Sequence, residues 1–147
     1  ILTETPKLLG TDGQKMSKSY GNAIFLSDPA DVVATKVATM ITDPQRMRKS
    51  DPGNPDVCNV FDFHKLYSPT ELVAEVNQRC RTADIGCVEC KKRMGQNLNT
   101  FLDPIRAKRR YYQERPERVA EIIAAGNATA RQTACRTMEE VRAAIKL

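Results

Sequence analysis

From Pro29 to the C-terminus, apolar residues recur three and four positions apart, and prolines, glycines and capping residues cut this pattern into helix-length pieces. No stretch alternates strongly enough to build a sheet, so the expected fold class is mainly α: a helical bundle preceded by an irregular loop segment. Ser27 or Asp28 ahead of Pro29 and Asp31 starts a helix over about 29–41, with Ala30, Val33, Val37 and Met40 along one side. Three prolines and a glycine within 42–56 predict a long connection with one short turn at most. A short helix over about 57–67 follows. Ser68, Pro69 and Glu71 then spell a capping box for a helix to about Arg81, striped by Leu72, Val73 and Val76. After a turn at 82–86, a helix starting near Val88 carries Met94, Leu98, Phe101 and Leu102, is expected to kink or restart at Pro104, and runs through Tyr112. Pro116 opens a helix with Val119, Ile122 and Ile123 that Gly126 should end as a left-handed cap. Asn127 then caps a last helix whose inner face is Ala130, Ala134, Met138, Val141 and Ile145, with Cys135 beside them in the core. The chain thus divides into a loop segment, 1–27, and a helical domain, 28–147, without internal repeats.

A core built from 147 residues can bury roughly 70% of the unfolded surface, so covalent staples are not needed for stability. No apolar run is long enough to cross a bilayer and no basic-then-apolar leader stands at the start, so a soluble, cytoplasmic protein with no membrane partner is the default. The chain opens at Ile1 without an initiator methionine, and a dense glycine and lysine motif follows almost at once, as expected of a piece of a longer protein. Net charge is +5, unevenly spread. Between Lys91 and Arg118 lie nine basic residues (Lys91, Lys92, Arg93, Arg106, Lys108, Arg109, Arg110, Arg115, Arg118) against three acidic ones, Asp103, Glu114 and Glu117. Such clustering is the footprint of a phosphate-backbone binder, although a solvated helix face has the same composition. Tyr111 and Tyr112 beside these arginines could stack on unpaired bases.

Lys15-Met16-Ser17-Lys18-Ser19 sets two ammonium groups and two hydroxyls within five residues, beside Gly10, Gly13 and Gly21. Short mobile donors of this kind suit a highly charged phosphoryl transition state, where lysines neutralise charge and hydroxyls and amides give oriented hydrogen bonds. Cys58, Cys80, Cys87 and Cys90 are separated by 21, 6 and 2 residues, and the Cys87–Cys90 pair is a chelate seen in both zinc and iron-sulfur sites. Four thiols in a reducing compartment point to metal rather than disulfides, and an all-thiolate set serves either metal. His64, the single histidine, reads as an ordinary helix residue.

The string KMSKS within GTDGQKMSKSYGNAIFLSD resembles the signature loop of class I aminoacyl-tRNA synthetases, and its context resembles the tryptophanyl-tRNA synthetases in particular. Thr42-Asp43, Asp103-Pro104-Ile105-Arg106 and Ala128–Ala134 extend the likeness over almost the whole chain. The resemblance implies that Lys15 and Lys18 contact the phosphates of ATP, bound with magnesium, while Met16, Ser17 and Ser19 shape the loop. It implies tryptophan and tRNA as the other substrates, with the tRNA anticodon region near the metal site and the basic segment 91–118. It also favours a 4Fe-4S cluster over zinc on Cys58, Cys80, Cys87 and Cys90, the first gap here being slightly shorter than in that family. The nucleotide-binding half of such an enzyme is missing, so the chain alone is not expected to be active. It should be monomeric where the full enzyme is a homodimer. A stand-alone RNA- or metal-binding module descended from a synthetase is the alternative, and a tyrosine-specific relative is a more distant third.

Overall fold

A computed structural model describes residues 7–146. Five α-helices account for most of them: α1 (Ala30–Thr39), α2 (Asn59–Tyr67), α3 (Thr70–Arg81), α4 (Cys87–Gln113) and α5 (Pro116–Ala144). Among the described residues there is no strand, only an isolated antiparallel bridge between Leu9 and Lys15, so the all-helical expectation holds. The chain forms two compact units, residues up to Arg106 and residues from Ala107 onward.

The first unit owes its core to the apolar stripes of α1 to α4. Val33 and Val37 of α1, Val60, Phe61 and Phe63 of α2, Val76 of α3, and Met94, Leu98 and Leu102 of α4 are all buried in one cluster with Met40, Cys58 and Ile85. Polar contacts fix α1 along α4: Lys91 Nζ donates to the Ala38 carbonyl at 2.9 Å and Asn99 Nδ2 to the Ala30 carbonyl at 3.0 Å. Pro29 precedes α1 without a side-chain cap. The turn ahead of the helix is instead held by Asp28, which accepts from the Phe25 amide at 2.9 Å and from Lys36 Nζ at 2.6 Å.

Several expected boundaries shift for identifiable reasons. Ser68 makes no capping bond to α3. Its hydroxyl is taken by tertiary partners, 2.7 Å from His64 Nδ1 and 2.8 Å from Asn97 Nδ2. Pro104 does not restart the helix that carries it, which runs unbroken from Cys87 to Gln113. The Thr100 carbonyl loses its helical donor there, and one residue before it Arg106 braces the same turn, donating to the Asn99 carbonyl at 3.4 Å and to Asn99 Oδ1 at 2.7 Å.

In the second unit Gly126 and Asn127 do not divide the last helix. One 29-residue helix, α5, runs through both. Gly126 has no positive φ, the left-handed geometry a glycine cap would need. A helix tolerates one interior glycine at a cost near 1 kcal/mol. The expected inner face is open in this unit, with Met138, Val141 and Ile145 exposed, and Cys135 is exposed rather than core. A Cβ at Gly126 would meet nothing within 4 Å. Gly126→Ala should therefore stabilise α5 by about 0.5–1 kcal/mol, seen as a higher helical signal and later melting by circular dichroism.

Candidate functional site

Two sets of residues singled out by sequence lie in the first unit. The Lys15–Ser19 loop is one arm of a small hairpin. Gly10 N donates to the Gln14 carbonyl at 2.7 Å, Met16 N to the Leu8 carbonyl at 3.0 Å and Gly13 N to the Gly10 carbonyl at 3.1 Å. Gly13 takes φ +74 at the tip, where a side chain would also press on Ile41 at 2.5 Å. The end of the motif enters a single 3-10 turn, Lys18–Tyr20, closed by Gly21 at φ +68.

Asn22, only 3% exposed, organises the loop from inside. Its Oδ1 accepts from the Ser17 amide at 2.8 Å, and its Nδ2 donates to Asp12 Oδ1 at 2.7 Å and to the Lys15 carbonyl at 3.2 Å. The hydrogen bond from Asn22 holds the Asp12 carboxyl below its usual range. With backbone needs met internally, Lys15 and Lys18 are left exposed to solvent, and Ser17 and Ser19 share a hydroxyl contact of 2.9 Å. Asn22→Ala strips three bonds at once. Loop order should fall by roughly 1–3 kcal/mol, visible as faster amide exchange over 8–22 with little change in the helices.

The four cysteines converge on the turn before α2, the end of α3 and the start of α4. Each is free of disulfide bonding. Arg46, in the proline-rich connection, lies among them. Its Nη1 is 3.7 Å from Cys80 Sγ and 3.9 Å from Cys87 Sγ, while Nη2 donates to the Lys49 and Ile85 carbonyls at 2.8 and 2.9 Å. Its Nε is buried without a partner. Gly53 closes the far side: a Cβ there would sit 2.6 Å from Cys80 Sγ. Buried Asp43 pins this connection, accepting from the Asn54 amide at 2.8 Å and the Gln45 amide at 2.9 Å.

Burial, more than any neighbour, pushes the Cys90 thiol up to about 12, with Cys58, Cys80 and Cys87 adding to the rise and Arg46 opposing it. Burial likewise raises Cys58, against hydrogen bonds from the Phe61, Val60 and Asp43 amides, and raises Cys80, against the charge of Arg46. At pH 8 a thiol near 12 is thiolate in roughly one molecule in ten thousand. Iodoacetamide should therefore modify exposed Cys135 of the metal-free protein long before Cys90, as peptide mass mapping over time would show.

His64 is on α2 as expected, fully buried, and it touches the site. Its Nε2 is 3.3 Å from the Cys90 carbonyl and 3.5 Å from Cys90 Sγ. Burial depresses its pKa, keeping the ring neutral. Among the described residues, no three His, Cys, Asp or Glu side chains are arranged to hold a single metal ion. The donor chemistry nonetheless fits a thiolate-ligated group, because a half-buried guanidinium whose Nε–H is buried and unused calls for negative charge beside it.

The basic segment is partly consumed by the fold. Arg93 pairs with Glu75 and Glu89, Arg106 with Asp103, and Arg118 with Glu121. Arg115 stacks over Tyr111 at 4.2 Å. The side chains of Lys92, Lys108, Arg109 and Arg110 form no ion pair or hydrogen bond among the described residues. A groove over Cys87 adds cations that the sequence did not single out: Arg46, Arg48 and Lys49 line it with Lys92 and with the exposed side chains of Met47 and Val88. Arg46 and Asn59 were equally unmarked, and Asn22 stood in the string that carried the family resemblance without a role of its own. The one available signal was a charged or amide residue within a glycine- or proline-rich stretch, which is too common to stand out.

With this geometry in place, comparison with known proteins defines the class. The sequence profile of the tRNA synthetases class I (W and Y) matches residues 2–103, and the chain belongs to that family. It is 50% identical over 148 residues to the tryptophan–tRNA ligase of Aquifex aeolicus and 45% identical over 148 residues to that of Thermotoga maritima. All of the chain is matched in both cases, against 38% and 45% of the two relatives, so the chain spans less than half their length. The crystal structure of tryptophanyl-tRNA synthetase from Campylobacter jejuni, complexed with ADP and tryptophan, superposes with a TM-score of 0.87 at 28% identity. That match covers 98% of this chain and 44% of the other.

Proposed function

We propose that the chain is the C-terminal region of a tryptophan–tRNA ligase, which activates tryptophan with ATP and transfers it to tRNA. The observation that carries this reading is the hairpin of residues 8–22, whose polar backbone is satisfied by Asn22 while two lysines point away from it into solvent. A rigid base under mobile cations is what closure over a triphosphate requires. In this mechanism Lys15 and Lys18 neutralise charge on the ATP phosphates, beside a magnesium ion, as the tryptophan carboxylate attacks the α-phosphorus and pyrophosphate leaves. Met16, which packs against the core, and Ser17 and Ser19 keep the loop in register. Residues 1–27 would complete the nucleotide-binding domain of the full enzyme, and residues 28–147 would form its tRNA-binding helical domain.

For Cys58, Cys80, Cys87 and Cys90 we read a 4Fe-4S cluster, with zinc as the alternative. A tetrahedral zinc needs four sulfurs converging at about 2.3 Å on one point. A cluster takes one thiolate per iron and accepts a wider set. When bound, the group would supply a structural crosslink between the turn before α2, the end of α3 and the start of α4. The residues of the chain do the rest: Arg46 balances charge, His64 backs Cys90, and Gly53 leaves room at Cys80. Nucleotides of the tRNA would meet Arg48, Lys49 and Lys92 in the adjoining groove of the first unit, and Lys108, Arg109 and Arg110 in the second unit, through phosphate contacts and stacking. The full enzyme is read as a cytoplasmic homodimer, and the isolated chain as an inactive monomer. Among the described residues no helix is long and apolar enough to cross a membrane.

Pyrophosphate exchange with tryptophan and ATP tests the first reading in the longer protein that carries this chain; absence of tryptophan-dependent exchange would sink it in favour of a stand-alone RNA- or metal-binding module. Anaerobic purification with iron, sulfide and zinc analysis tests the second. About four irons and four sulfides per chain are expected, and a single zinc with no visible absorbance would replace the cluster by a structural ion.

A further inference from the structure

The phosphate loop and the cysteine site meet at one side chain. Asn59 is the first residue of α2, directly after Cys58, and is 4% exposed. Its Nδ2 donates to the Gly10 carbonyl at 2.7 Å, across 49 residues of chain. Its Oδ1 is buried without a partner, so the bond to Gly10 is the one hydrogen bond this side chain makes among the described residues. A half-satisfied buried amide is costly, and an apolar residue of similar size would pack there more favourably. What Asn59 adds is its hold on the hairpin.

Both ends of that hold are stiff. Gly10 is pressed against Asn22 so closely that a Cβ would lie 2.4 Å from the Asn22 side chain, and Asn22 in turn carries the Ser17 amide and the Lys15 carbonyl. On the other side the Cys58 carbonyl accepts from the Phe61 and Asp62 amides at 3.0 and 3.2 Å, so the Cys58–Asn59 link belongs to the first turn of α2 and does not shift alone. Movement of Cys58 therefore passes through Asn59 to the base of the loop.

We propose that Asn59 is a positioning residue that ties the Lys15–Ser19 loop to the Cys58 turn, so that ligation of Cys58 steadies the phosphate loop and loss of ligation loosens it. This rests on the readings of the loop and the cysteines given above. Occupancy of the cysteine site then sets how often the loop leaves its hairpin before ATP binds, and the metal acts on the activation step without touching a substrate.

Hydrogen exchange over residues 8–22 reads this directly in the intact protein, loaded anaerobically with iron and sulfide or stripped by chelator. In the wild type, stripping should speed loop exchange about tenfold. Asn59→Ala and the isosteric Asn59→Asp, which sets an oxygen against the Gly10 carbonyl, should exchange fast in both states. Unchanged exchange in α3 and α4 shows that the unit is still folded; should the aspartate variant unfold, the alanine variant carries the comparison. Loop exchange equal to wild type in a folded Asn59 variant overturns the proposal, as does a wild-type loop indifferent to stripping. A wild type that takes up neither iron nor zinc, shown by metal analysis before any exchange is read, fails the cysteine reading itself and overturns the coupling with it.

Discussion

Replacing Lys18 by alanine should lower the rate of tryptophan-dependent pyrophosphate exchange by about 10²–10³-fold, equivalent to roughly 3–4 kcal/mol of transition-state stabilisation. Lys18 is exposed at the start of the 3-10 turn and its side chain makes no hydrogen bond or ion pair among the described residues, so its truncation should leave the hairpin intact. On the proposed reading its ammonium acts when charge accumulates between the α- and β-phosphates. The fall should accordingly be in kcat, with KM for ATP changed far less. A Lys18→Arg variant retains charge but not the compact ammonium, and should recover part of the loss. Steady-state exchange against ATP concentration separates the cases: a rise in KM alone would make Lys18 a binding residue.

The second large effect lies in the core. Phe63 is 2% exposed and stacks at a tilt on Tyr67, ring centroids 5.8 Å apart. Phe63→Ala should cost about 3–5 kcal/mol, since the helices around the vacated ring cannot fully collapse. For a unit of this size each kcal/mol moves the melting temperature by about 4–8 °C, so a calorimetric shift of some tens of degrees, or failure to fold, is expected. Function should suffer indirectly. The helix that buries Phe63 is the one that opens with Asn59 after Cys58, and the loop would lose its anchor as α2 loosens.

Much of this was legible in the residue pattern, and what escaped did so for physical reasons. The stripes Val33–Val37, Leu72–Val76 and Met94–Leu98–Leu102 located three helices because local periodicity and tertiary burial agree there. The capping box at Ser68 failed because a hydroxyl has few bonds to give, and His64 with Asn97 claimed them. Gly126 and Pro104 were read as breaks, yet one costs a helix little and the other removes a single backbone bond from a turn that Arg106 braces through Asn99. The motif Lys15–Ser19 and the cysteine spacing were plain in sequence. The residues that hold them in place, Asn22, Asn59 and Arg46, act through contacts that cross 5 to 49 positions of chain, where no local pattern survives.

The positions of the thiols along the chain also bear on how the first unit unfolds. Cys58 stands before α2, Cys80 in the last turn of α3, and Cys87 and Cys90 in the first turn of α4. If joined through the proposed inorganic group, they would close successive chain loops and deny the unfolded polypeptide many of its conformations, as a covalent bridge would. The three helices would then melt as a single cooperative block, and release of the group rather than fraying of any helix would set the unfolding rate. Lifetime at elevated temperature, more than the midpoint of a melt, becomes the property that the cysteines govern.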